Sequence, residues 1–124
     1  MPGEKILIVD DNATNLKLAR VLLQTEGYSV SAAIDAQDAL RQIPTFQPRL
    51  ILMDIQLPGM DGLELTRCLK AELATKNIVI LALPAYAMKG DEQKALAAGC
   101  DGYIAKPFDI DSLPQVIAQH LEAS

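Results

Sequence analysis

The chain has little of what marks a cross-linked, membrane-bound or nucleic-acid-binding protein. Its two cysteines, Cys68 and Cys100, lie in separate segments with no Cys-x-x-Cys or Cys/His ligand spacing. Neither a disulfide framework nor a zinc site is expected, and both read as buried thiols in a reducing compartment. The one histidine, His120, is far in sequence from the acidic residues that cluster below, and it reads as a surface residue. The longest apolar stretch, Ile78 to Ala85, is far too short to span a bilayer, so no membrane insertion is expected. The opening Met-Pro-Gly-Glu-Lys lacks the basic region, apolar core and small-residue cleavage site of a secretory leader, which makes a cytoplasmic location the expectation. Positive charge is also scarce: 11 Lys and Arg against 16 Asp and Glu give a formal net charge of -5. With no Lys/Arg stripe and no aromatics interleaved with basic residues, direct nucleic-acid binding is excluded, and the acidity reads as serving solubility.

What is present is an ordinary apolar core cut into short pieces. Half of the 124 residues are hydrophobic, enough for one domain with a real core and no structural metal. Lys5 to Val9 and Leu50 to Met53 are apolar on both strand faces, as central parallel strands covered by helices on both sides must be. Ile78 to Leu83 repeats that pattern, Tyr28 to Ala32 is a weaker strand, and Tyr103 to Ala105 a short fifth. Leu16, Leu18, Ala19, Leu22 and Leu23 recur at helical spacing and are ended by Gly27. Further helices are expected near Ala36 to Ile43, Leu63 to Ala74, Gly90 to Ala98 and Ser112 to Glu122, with Pro44 and Pro48 punctuating the second connection. Pro58, Gly59 and Gly62 mark an irregular third loop. Strand and helix alternating five times imply right-handed crossovers and an α/β doubly wound sheet of order 2-1-3-4-5, with the functional site at the carboxyl ends of the strands.

Four chemically able residues fall at those ends. Asp10 and Asp11 follow the first strand, Asp54 follows the third, and Lys106 follows the fifth. Any one of these acids alone reads as a helix N-cap or a solvated loop end. Together, three carboxylates repel one another and are tolerated at neutral pH only with a compensating cation, a shared proton, or both. Oxygen-rich ligation with open coordination positions suits Mg2+. A carboxylate beside such a metal can attack phosphorus while the metal and a lysine neutralise the transferring group, which points to phosphoryl transfer onto an aspartate.

The runs Ile-Leu-Ile-Val-Asp-Asp-Asn, Leu-Ile-Leu-Met-Asp-Ile-Gln-Leu-Pro-Gly-Met-Asp-Gly and Gly-Tyr-Ile-Ala-Lys-Pro-Phe resemble those of response-regulator receiver domains of two-component systems. The resemblance covers nearly the whole chain, residues 1–124 read as one receiver domain, and the motifs occur in family order and at family spacing. It implies a flavodoxin-like (βα)5 fold and a phosphoacceptor, not an enzyme with a separate substrate. By position, Asp54 would accept phosphate from a histidine kinase or histidine phosphotransfer protein. Asp10, Asp11, Asp54 and the backbone carbonyl of Gln56 would hold Mg2+, and Lys106, followed by a cis Pro107, would contact the phosphoryl group. Tyr103 resembles the family's switch aromatic, whose rotamer reports phosphorylation to a downstream effector on the face made by the fourth helix, fifth strand and fifth helix. Receivers often dimerise through that face, so a homodimer is a further implication.

One position departs from the pattern. Where the family usually has Thr or Ser at the end of the fourth strand, 22 residues before the lysine, this chain has Pro84. Proline offers neither a side-chain donor nor a backbone N–H, so one charge-assisted hydrogen bond worth about 1.5–3 kcal/mol is missing unless the N–H of Ala85 supplies it. Metal binding and phosphoryl acceptance are expected to survive, whereas coupling to Tyr103 comes into question; the plain alternative is that Pro84 simply ends a strand. Tyr86 stands where similar domains tune the lifetime of the phospho-aspartate, or is an exposed loop aromatic. Asp61 reads as a turn residue before the third helix. Rival functions are a receiver-shaped interaction module that works without phosphorylation, and a phosphatase of the haloacid dehalogenase type. The latter needs a second Asp two residues after the nucleophile, where Asn12 follows Asp10. Nucleotide-binding loops of the Gly-x-Gly-x-x-Gly or Walker kind are absent from the sequence.

Overall fold

The computed structural model describes residues 4–54, 62–83, 91–104 and 113–123. In chain order the elements are β1 (Lys5–Val9), α1 (Ala13–Thr25), β2 (Ser29–Ala33), α2 (Ala36–Phe46), β3 (Leu50–Asp54), α3 (Gly62–Ala71), β4 (Val79–Leu83), α4 (Asp91–Ala98), β5 (Gly102–Tyr103) and α5 (Leu113–Ala123). The strands form one sheet of order β2-β1-β3-β4-β5, parallel at every pairing, which is the doubly wound order expected from the alternation. No helix among the described residues is long and apolar enough to cross a membrane.

Strand alternation divides the core into two layers. Leu7, Val9, Ile51, Met53, Ile80 and Ala82 point to one face and pack under α2, α3 and α4 through Ala39, Ile43, Leu65, Leu69 and Ala95. Ile6, Ile8, Leu50, Leu52, Leu81 and Leu83 point to the other and meet Leu16, Ala19 and Leu23 of α1 and Ile117 and Leu121 of α5. Every residue of β3 and of β4 is buried, so these strands carry no polar face and can lie only inside the sheet. A fully buried Leu or Ile of this kind contributes about 1.5–3 kcal/mol.

Local chemistry sets the helix ends. Asn12 caps α1, its side-chain oxygen accepting from the N–H of Asn15 at 3.1 Å. Asp35 caps α2 by accepting from the N–H of Asp38 at 2.8 Å, and Asp38 in turn reaches back to the N–H of Ile34 at 3.2 Å. Gln42, Ile34 and Arg41 together hold the Asp38 carboxyl below its ordinary value, against a smaller opposing effect of burial. The second helix runs past the expected stop: Pro44 lies inside α2, which continues to Phe46. Placed in the last turn, proline forfeits only one backbone donor, and the chain is turned out instead by Gln47 in the left-handed conformation at φ 52, its N–H on the carbonyl of Ile43 at 2.8 Å. The third helix stops at Ala71, three residues before the expected Ala74, and turns fill the way to β4.

Two expectations about single side chains are corrected. Cys68 is exposed, because the buried stripe of α3 falls on Leu65, Thr66 and Leu69; only Cys100 is buried, and burial pushes its thiol pKa up. His120 is half-buried and lies against β5, not free on the surface. Its Nδ1 donates to the carbonyl of Val116 at 2.9 Å, and a Cβ on Gly102 would come within 2.7 Å of Nε2 and 2.8 Å of a Leu81 methyl. The glycine is what lets α5 sit this close to the strand.

Gly102→Ala is therefore expected to cost about 1–3 kcal/mol in urea denaturation, with much of that cost relieved when His120 is also changed to Ala. An equal cost in both backgrounds would show that the imidazole contact does not constrain the strand.

Candidate functional site

Register builds the site. β1 and β3 are neighbours whose last shared rung is Val9 with Met53, so the next residue of each strand, Asp10 and Asp54, emerges at the same end of the sheet. Asp54 is the final residue of β3, paired with Leu83 of β4, not the first residue beyond the strand as the sequence had indicated. The extra rung arises because β4 continues alongside it. Asp10 and Asp54 are only 2% and 3% exposed, whereas Asp11 is open to solvent.

The three carboxylates converge: one oxygen from each of Asp10, Asp11 and Asp54 lies within 4.8 Å of the other two. Octahedral Mg2+ binds oxygens at about 2.1 Å, which puts opposite ligands about 4.2 Å apart, so modest side-chain adjustment brings all three oxygens onto one ion. The exposed side at Asp11 leaves room for water or phosphate oxygens. The donor set is wholly carboxylate oxygen, which fits a hard cation and not a thiophilic one. Thus the structure joins three of the residues picked out from sequence.

Asn12 supplies support that sequence reasoning had not assigned. Its backbone N–H donates to Asp10 Oδ1 at 2.9 Å while its side chain caps α1. The Asp10 N–H donates to the carbonyl of Ala33 on β2 at 3.0 Å, so the acid is fixed from both neighbouring elements. An Asn just before a helical run is a capping signal, and it is the feature of the sequence that would have marked this position.

Tyr103 ends the described part of β5, paired with Ala82; it is half-buried and packs against the core layer shared with α2, α3 and α4. Gln56, Asp61, Pro84, Ala85, Tyr86, Lys106 and Pro107 lie outside the described residues.

Comparison with known proteins decides the family. Residues 6–118 match the response regulator receiver domain. The chain belongs to that family, the signalling module of two-component systems. It is 39% identical over 118 residues to the polar-differentiation response regulator DivK of Brucella anthropi, covering 95% of this chain and 96% of that one. Among solved structures, it is similar to a CheY-like response regulator receiver domain protein from Methanospirillum hungatei JF-1, at TM-score 0.88 and 34% identity over 98% of this chain and 95% of that one. It is equally similar, at TM-score 0.88 and 34% identity over 97% and 98% of the two chains, to the receiver domain of a sensor histidine kinase from Pseudomonas aeruginosa PAO1, whose structure has a magnesium ion coordinated in the active site cleft. Membership of this family, a signalling domain, weighs against the phosphatase alternative.

In chelator, Asp10→Asn is expected to melt at a higher temperature than the wild type, because one of three crowded negative charges is gone while the acceptor for the Asn12 N–H remains. Mg2+ at ten times its dissociation constant should stabilise the wild type by about 1.4 kcal/mol and the variant far less. An equal gain in both, followed by calorimetry, would mean that the cation binds elsewhere.

Proposed function

We propose that this receiver is a phosphoacceptor, with Asp54 taking the phosphoryl group from a histidine kinase or histidine phosphotransfer protein and the phosphorylated form changing its hold on a downstream effector. The observation that carries the reading is the convergence of the Asp10, Asp11 and Asp54 oxygens within 4.8 Å at the carboxyl end of the sheet. Asp54 sits on a rigid strand buried on both sides, so its carboxylate is held in place for attack. An Asp54 oxygen forms the new O–P bond as the N–P bond of the donor phosphohistidine breaks, and the imidazole nitrogen keeps the electron pair. Asp10 and Asp11, with Asp54 and the Gln56 carbonyl, would hold Mg2+, which when bound supplies positive charge to the phosphoryl oxygens. Lys106 would give the second positive charge from the end of β5.

In this reading the chain transfers phosphate onto itself and acts on no separate substrate. Residues 1–124 form one receiver domain with a cytoplasmic place of action, no direct nucleic-acid contact, and a face around Tyr103 available to effector or to a second copy. The alternative, an interaction module indifferent to phosphate, is motivated by Pro84 alone. The intact acidic trio weighs against it, since a scaffold has no use for three crowded carboxylates.

Intact mass after incubation with Mg2+ and acetyl phosphate should show one added phosphoryl group on the wild type and none on Asp54→Ala or in chelator. No gain under any donor would favour the phosphate-indifferent module. Pro84→Thr would restore a charge-assisted hydrogen bond of about 1.5–3 kcal/mol and should enlarge the phosphorylation-dependent change in the Tyr103 ring signals. An unchanged response in that variant would leave Pro84 as a strand end and nothing more.

A further inference from the structure

β5 poses a positioning problem. It lies at the edge of the sheet, and its described part makes two rungs with β4, Leu81 with Gly102 and Ala82 with Tyr103. Yet this strand leads within three residues to Lys106, the proposed partner of the phosphoryl group. Its start is held by more than those two rungs.

A charged clamp sits at that start. Lys70, near the end of α3, sends its ammonium to three oxygens: the carbonyl of Ile78 at 2.7 Å, the carbonyl of Lys76 at 3.2 Å and Asp101 Oδ2 at 2.8 Å. An ammonium has three N–H donors, and all three are used. The same Asp101 oxygen accepts the N–H of Ile80 at 2.9 Å, while the Asp101 N–H donates to the carbonyl of Ile80 at 2.7 Å. The residue before β5 is thereby bonded to β4 through both backbone and side chain, and the pair is tied to α3. The Lys70 stem passes over Gly99, where a Cβ would stand 3.0 Å from Cγ and where φ is +110, so the glycine both turns the chain and clears the way for the lysine. The clamp grips β4 at Ile80, three residues before Leu83, which is paired with Asp54. It therefore acts on the strand that pairs with Asp54 and on that strand's other neighbour.

We infer that Lys70, acting through Asp101, is a positioning residue for phosphoryl transfer at Asp54, fixing the start of β5 against β4, the strand whose Leu83 pairs with Asp54. The role rests on the phosphoacceptor reading above. Lys70 does not touch the reacting atoms; its part is to hold β4 and β5 in place beside the strand that ends in Asp54. The Lys70 side chain is 21% exposed and that of Asp101 41%, so the ion pair alone is worth little and the ammonium is confined by its three oxygen partners together.

Lys70→Met keeps the stem over Gly99 and removes the charge, and Asp101→Asn keeps an acceptor for the Ile80 N–H while weakening the ion pair, so the two variants perturb the clamp independently. Two measurements separate the outcomes: amide hydrogen exchange by NMR, and the rate of phosphoryl uptake from acetyl phosphate at saturating Mg2+. Exchange at Ile104, whose N–H donates to the Ala82 carbonyl at 2.8 Å, should quicken while Leu52 in the sheet centre is unchanged. Uptake should slow about tenfold, the scale of a small misplacement of a reacting group. The Mg2+ dissociation constant should stay within about twofold, because the acids on β1 and β3 are not part of the clamp. Unchanged Ile104 exchange would overturn the clamp itself. Faster exchange with an undiminished uptake rate, or a loss of uptake that tracks weaker Mg2+ binding, would reduce it to a structural brace. A wild type that takes up no phosphoryl group would overturn the phosphoacceptor reading and the positioning role with it, while the exchange data would still report on the clamp.

Discussion

The rung that pairs Val9 with Met53 is the constraint on which the acidic site depends. Because β1 and β3 are parallel and in this register, the residues that follow leave the sheet side by side, and two carboxylates meet that are 44 positions apart in the chain. A slip of one residue in either strand would send one of them to the opposite face. Register here is enforced by burial: both strands are covered on both sides, and a slip would move every side chain of a buried row into the wrong layer. Truncating one such residue costs about 2–5 kcal/mol, and a slip would misplace several.

That rigidity lets the sheet hold a cluster that is electrostatically unfavourable in itself. Two of the acids are nearly inaccessible, and crowded like charges resist sharing a buried space. The backbone offsets part of the cost by pointing the N–H of Asn12 at Asp10, at the start of a helix whose amino end carries partial positive charge. A cation held there, as proposed, would offset more of it and couple occupancy of the site to stability of the fold.

How far the sequence disclosed this follows from which forces act locally. Strand order and the convergence of Asp10, Asp11 and Asp54 were legible because doubly apolar runs and alternation with helices leave few topologies. β1 was bounded correctly for the same reason. Ends decided by neighbours were not: β2 is Ser29–Ala33 where Tyr28 to Ala32 was expected, and β5 begins at Gly102, since pairing with Leu81 fixes it and no local pattern does. Pro44 reads as a break in isolation, but in a last turn it costs one donor and α2 passes through it. His120 and Cys68 were misjudged because composition and isolation say nothing of which helical face a residue takes. His120 lies against β5 only because Gly102, on another element, has no side chain.

The two edge strands share a solution that the central ones do not need. β1, β3 and β4 are bonded on both sides by neighbouring strands, so their positions follow from the ladder. β2 and β5 have one strand neighbour each, and in both cases helix side chains add to the ladder. Gln42 of α2 donates from Nε2 to the Ala32 carbonyl at 2.9 Å and accepts from the Ser31 hydroxyl, holding β2. Lys70 of α3, through Asp101, and His120 of α5, against Gly102, hold the start of β5 from opposite faces of the sheet. The difference lies in what each edge carries. β2 presents only the Ala33 carbonyl to the Asp10 N–H, whereas β5 bears Tyr103 and runs toward Lys106. Side chains from two helices thus fix the start of an edge strand that pairs with β4, the strand whose Leu83 lies beside Asp54.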